Sequence, residues 1–88
     1  MIRASLLALV AARTSESLGI VELIVDTVFD EIMAATVRGE PVKLDGFAQF
    51  SREHIRGRDG APDYEAIRFR ACHAWRKRLN TPQREAAE

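Results

Sequence analysis

The stretch between Ala66 and Arg84 carries the residues best suited to chemistry. It holds Arg68, Arg70, Arg76, Lys77, Arg78 and Arg84 and no acid. Arginine presents a planar fork of donors that fits phosphate and carboxylate oxygens better than lysine does. A localised basic run of this kind is the footprint of a polyanion. The same run also fits a solvated face paired with the acidic first half of a second chain, and composition alone does not separate the two. The other reactive side chains point away from catalysis. Cys72 is the only cysteine, which excludes an internal disulfide. It is expected to be a small packed residue near a helix start, where thiol acidity can be lowered. His54 and His73, even with Asp59 or Asp63, make no recognisable metal spacing. No Gly-rich phosphate loop, nucleophile motif or paired-carboxylate signature is present. The chain is therefore expected to be no enzyme and to need no cofactor or metal.

A frame of 88 residues must position these arginines. That length suits one domain, taken as residues 1–80, with 81–88 as a flexible tail. A domain this small buries only about 60–65% of its unfolded surface, so self-association is an expected route to a sufficient core. Lys and Arg number 13, Asp and Glu number 13, and the formal net charge is zero. The zero hides an asymmetry: residues 1–50 sum to −3 and residues 51–88 to +3. The apolar block Leu6 to Ala12 is far short of the ~20 residues a bilayer requires. Met1–Ile2–Arg3 followed by that block has the look of a secretory signal. The block ends at Arg13 without a small-residue cleavage site, so a cytoplasmic protein is the better reading.

Ile2 to Arg13 reads as a first helix, with Ile2, Leu6, Leu9 and Val10 at helical spacing. Ser17 is a good N-cap for a long second helix from about Leu18 to Val37, with Ser15 as an alternative start. Val21, Val25, Val28, Ile32 and Ala35 form its stripe, and Leu18, Ile24, Phe29 and Met33 widen it. That arc is wider than one short neighbour covers, which suggests burial against a partner chain as well. Arg38, Gly39 and Pro41 end the helix. The period then switches to two. Val42 to Leu44 alternates, Asp45–Gly46 signals a hairpin, and a second strand starts at Phe47 and can run to Arg56. Gly57 to Pro62 is a turn by composition. A third strand spans roughly Tyr64 to Arg70, with Ile67 and Phe69 on one face and Arg68 and Arg70 on the other. Cys72 to Leu79 is a short last helix with Trp75 and Leu79 four apart. Helices segregated from a three-stranded meander make an α+β domain.

Gly39–Glu40–Pro41–Val42–Lys43–Leu44–Asp45–Gly46–Phe47–Ala48–Gln49–Phe50 resembles the most specific block of the bacterial HU and integration host factor family of DNA-bending proteins. The family pattern there is Gly, acidic, any, Val, any, Leu, any, Gly, Phe, Gly, any, Phe, and Ala48 replaces the third Gly. Phe69–Arg70–Ala71–Cys72–His73–Ala74–Trp75–Arg76 is similar to the family's entry into the last helix. The likeness covers residues 2–56 and 66–80. It implies an intertwined homodimer whose sheets form a saddle, with β-ribbon arms reaching around the DNA minor groove and a proline at each arm tip wedging between base pairs. It places Phe47 and Phe50 as buried area beneath the helices. The implied dimer core is Val21, Val25, Val28, Phe29, Ile32, Phe47, Phe50, Phe69 and Trp75.

The likeness breaks where the arms would be. Between Phe50 and Phe69 the chain is about ten residues shorter than a full-armed member, so each arm should be a stub unable to wedge a base step deeply. Gly57–Arg58–Asp59 is similar to the family's Gly-Arg-Asn-Pro signature, but Gly60 stands where proline would be, and Pro62 suits a turn. The implied DNA-binding residues are Arg3, Arg52, Arg56, Arg58, Arg68, Arg70, His73 and Arg76. Arg3 is read either as a phosphate contact or as an exposed charge, and His73 replaces a lysine, which makes its charge depend on pH. The register of the second strand stays open. Strict alternation puts Arg52, His54 and Arg56 on the face of Phe50 and leaves Glu53 and Ile55 toward the nucleic acid, a poor DNA surface; a bulge near Ser51 would turn the three basic residues outward. The expected function is low-specificity, salt-sensitive binding of double-stranded DNA in the nucleoid, with less bending than full-armed relatives give. The alternative is a dimeric scaffold of the same fold that binds a protein.

Overall fold

A computed structural model describes residues 1–82. Its elements run α1 (Arg3–Thr14), α2 (Leu18–Val37), β1 (Val42–Leu44), β2 (Ala48–Ile55), β3 (Tyr64–Ala71) and α3 (His73–Leu79). The chain divides into two compact units, residues 1–34 and 35–88. Of the expected tail, Thr81 and Pro82 follow α3, while residues 83–88, including Arg84, lie outside the described residues.

In the first unit, α1 ends on Ser15, whose left-handed φ of 57° lets its N–H reach the Ala11 carbonyl. Ser17 then caps α2: its hydroxyl accepts from the Ile20 N–H at 3.3 Å, and Gly19 is tolerated inside the first turn. The two helices are tied by Arg3, which pairs with Glu22 and Asp26. Leu7 and Val21 are the buried apolar residues of this unit. Val25 and Ile32 of the expected stripe are half-buried, but Val28 is 47% and Phe29 43% exposed. Leu23, Ile24 and Met33 are more exposed still. Most of the apolar arc of α2 is therefore left exposed among the described residues.

The second unit begins with the end of α2. The Gly39 N–H bonds to Thr36 and the Glu40 N–H to Ala35, with Gly39 at φ +86°. This pairing is a Schellman cap, which requires a left-handed residue where Gly39 stands. Pro41 then leads into the sheet, which begins at Val42. Its strand order is β1-β2-β3, all antiparallel. Gly46, at φ 79°, turns β1 into β2 under a Phe47 N–H to Leu44 carbonyl bond of 3.0 Å. The β2–β3 ladder is unbroken from Ala48↔Ala71 to Ile55↔Tyr64. No bulge interrupts it near Ser51, so strict alternation holds along its length. Phe50 and Phe69 are direct partners on one face, joined by Val42 and Leu44 of β1.

Phe69 contacts Trp75 edge-on at 5.6 Å, and Trp75 stacks on Phe47 at 5.4 Å. Four of the five aromatics singled out in the sequence, Phe47, Phe50, Phe69 and Trp75, thus form one cluster, with Phe50 and Phe69 5.3 Å apart. Within the single chain Phe50 is half-buried and Phe47 is 48% exposed, so the burial expected of them in a dimer core is not reached by one chain alone. Among the described residues of this unit, only Ala48 and Ala35 are buried apolar residues. Among the described residues Phe47, Phe69 and Trp75 keep 37–49% of their surface exposed.

Candidate nucleic-acid interface

Strand parity builds the candidate surface. With Phe50 and Phe69 on one face, Gln49, Ser51, Glu53, Arg68 and Arg70 fall on the other. The register places Lys43 opposite Gln49 and Gln49 opposite Arg70, so a row of polar side chains crosses all three strands. Arg68 follows one step along, opposite Ser51. Gln49, Ser51, Arg68 and Arg70 line one shallow hollow of about 250 Å³. A neighbouring hollow of about 330 Å³ continues from Arg70 to Lys43, Gly46, His73 and Arg76. Asp45 also lines it and is the one acid there among the described residues.

The helix end of this surface is set by Cys72. Its sulfur accepts from the Trp75 N–H at 3.4 Å, and its own N–H bonds to the Phe47 carbonyl at 2.8 Å. The thiol therefore serves as the N-cap of α3. That cap puts His73 and Arg76 beside Arg70. Among the described residues, Lys43, Arg68, Arg70 and Arg76 take part in no ion pair. Exposed guanidiniums without carboxylate partners keep their donors available for an external anion.

The other expected residues lie elsewhere. Arg3 is occupied by Glu22 and Asp26 in the helical unit. Arg52 sits on the aromatic face, not with Arg68 and Arg70. Its Nε donates to Glu65 at 2.7 Å and its Nη1 to the Val37 carbonyl at 2.8 Å. That carbonyl belongs to the last turn of α2, where a cation offsets the helix dipole. Arg56 and Arg58 lie beyond β2 and line an open hollow at the ribbon tip with Pro62. His54 shares the face of Arg52, as strict alternation requires. Its Nδ1 lies 2.5 Å from Glu65 and its Nε2 3.0 Å from Asp63. Contact with Glu65 first, then Asp63, raises the His54 pKa above its ordinary 6.5. Asp63 is lowered by the Gly57 N–H and then by His54. Glu65 is lowered by His54 and then by Arg52.

Sequence reasoning overlooked Lys43, Gln49 and Ser51. The signal was present: once Val42, Leu44 and Phe50 share a face, the intervening residues must share the other.

Two helices, a three-stranded antiparallel sheet with a short ribbon and a last helix capped against that sheet define an α+β fold of the HU type. The chain matches the family described as Bacterial DNA-binding protein over residues 1–80, and it belongs to that family. The family is one of structural DNA-binding proteins rather than enzymes. Among solved structures, an Anabaena HU–DNA cocrystal structure superposes with a TM-score of 0.85 at 22% identity, covering 93% of this chain and 100% of that one. A mutant HU from Thermotoga maritima gives a TM-score of 0.76 at 25% identity, covering 91% of this chain and 100% of that one. No curated protein sequence matches the chain. Among the described residues, no helix is long and apolar enough to cross a membrane.

Proposed function

We propose that the chain works as a homodimer that binds double-stranded DNA through phosphate contacts, with little sequence preference and less bending than longer-armed relatives. The observation that carries this reading is the row Lys43–Gln49–Arg70 with Arg68 beside it, whose cations have no carboxylate partner among the described residues, on the sheet face away from the aromatics. Arg70, Arg76 and His73 lie at the end of that row, where a phosphate can meet the sheet and the α3 N-terminus together. Arg3 and Arg52, engaged with acids in their own chain, take secondary parts at most. Arg56 and Arg58 sit on a ribbon whose connection holds only residues 56–63, which supports a shallow grip on the minor groove. The site is expected to act in the nucleoid, in the cytoplasm.

The dimer rests on the uncovered apolar surface of α2. Eight of its large apolar side chains, from Leu18 to Val37, are 43–71% exposed. Covering the remainder of each at roughly 1 kcal/mol apiece contributes on the order of 8 kcal/mol per chain. A whole domain has a net stability of about 5–15 kcal/mol. The uncovered face is too large a fraction of that to leave in water.

The test is duplex binding by the Arg70→Ala, Arg76→Ala double variant. Affinity should fall by a similar factor on duplexes of unrelated sequence, because phosphates carry no base information. Undiminished affinity would place the DNA surface elsewhere. A second reading, a scaffold that binds another protein, draws on the acids that occupy Arg3 and Arg52 and on the zero net charge. It predicts no mobility shift of duplex DNA at low salt.

A further inference from the structure

We propose that protonated His54 is a clasp that fastens the ribbon turn to β3, closed at lower pH and released when the imidazole loses its proton. The inference stands apart from DNA binding and concerns the ribbon alone.

The geometry carries it. Both ring nitrogens face carboxylate oxygens: Nδ1 faces Glu65 Oε2 at 2.5 Å and Nε2 faces Asp63 Oδ2 at 3.0 Å. Ionised carboxylates only accept, so both nitrogens must donate. A neutral imidazole has one N–H and the imidazolium has two. Losing the proton leaves one ring lone pair facing a carboxylate, and that contact turns from attraction to repulsion.

The clasp is connected at both ends. Asp63 Oδ1 accepts from the Gly57 N–H at 2.8 Å, which closes the turn on itself. That turn is compact: a Cβ at Gly57 would lie 2.0 Å from the Ala61 carbonyl oxygen. Glu65 Oε1 accepts from Arg52, which in turn holds the Val37 carbonyl. His54, Asp63, Glu65 and Arg52 therefore link the ribbon tip to the end of α2. With His54 charged, the four side chains sum to zero. With His54 neutral, they sum to −1 and the two acids repel each other across the ring. Other groups near His54 are Arg56, Arg58 and Tyr64, which share its open hollow. The two guanidiniums oppose the extra proton, whereas the two carboxylates in contact favour it.

The sign follows from linkage. His54 is raised above 6.5, so its contribution is complete below that value and is lost as pH rises through its folded value. Asp63 and Glu65 are lowered, so theirs is present above their ordinary values and lost as pH falls through the folded ones. The clasp is closed in the window between.

The test uses the full chain without DNA, so a failure to bind duplex leaves it intact. The His54 ring and the Gly57 amide are followed by NMR from about pH 5 to about pH 9. The His54 midpoint should lie above 6.5. Gly57 exchange, corrected for its intrinsic pH dependence, should accelerate several-fold across that same midpoint. Glu65→Gln and Asp63→Asn should each lower the midpoint, and His54→Gln should flatten the corrected Gly57 profile. A wild-type midpoint at or below 6.5, or Gly57 exchange indifferent to it, overturns the proposal, and both readings need no variant.

Discussion

Arg52 and Arg68 are separated by one step of the β2–β3 register and face opposite sides of the sheet. Parity gives them different work. Arg52 holds Glu65 and the Val37 carbonyl, so Arg52→Ala should lower Tm by a few degrees through loss of that helix-end contact. Its effect on duplex affinity should be smaller than that of Arg68→Ala. Arg68→Ala should leave Tm unchanged, because Arg68 is exposed and forms no ion pair among the described residues. Thermal melts at one protein concentration, run beside binding curves, separate the two. Gly39→Ala places a Cβ in the left-handed region at φ +86° and should cost ~1 kcal/mol in denaturant melts. The sequence showed these arginines but not their roles. Charged residues occur at both parities of β2, so alternation of polarity was silent about which face pointed where. Glu65 and Asp63, which fix Arg52 and His54 on the aromatic face, come 13 and 9 positions later and are invisible to any local pattern.

At the scale of elements, local signals were stronger. Ser17, Gly39 with Pro41, and Asp45–Gly46 bounded α2 and the first hairpin, and each is used as its chemistry suggests. Whether Phe47 is covered was not legible in the same way. It depends on what covers the aromatic cluster, and nothing in one chain's pattern states that. The width of the α2 apolar arc was the legible counterpart, and the exposures of Val28, Phe29 and Met33 agree with it. Phe29→Asp is the corresponding test. On a lone chain a 43%-exposed position should tolerate the change with little loss. In the proposed dimer it should shift the mass measured by sedimentation toward the monomer and make Tm steeply dependent on concentration. For the ribbon, Gly57→Ala should remove the Gly57 protection, since its Cβ would meet backbone oxygens at 2.0 and 2.6 Å that cannot rotate away.

At the scale of the molecule, the zero net charge is a poor guide, because the charge is distributed and not absent. Arg3, Arg38 and Arg52 are held by acids, while Lys43, Arg68, Arg70 and Arg76 gather on one sheet face and at the start of α3. Such a surface binds a polyanion by releasing its counterions, and the logarithm of affinity then falls linearly with the logarithm of salt concentration. The most direct measurement is the salt dependence of duplex binding for the wild type and for Arg68→Ala with Arg70→Ala. The wild-type slope should be steep and become shallower by roughly one for each phosphate contact removed. A slope near zero, or one that the double variant leaves unchanged, would contradict binding through that surface.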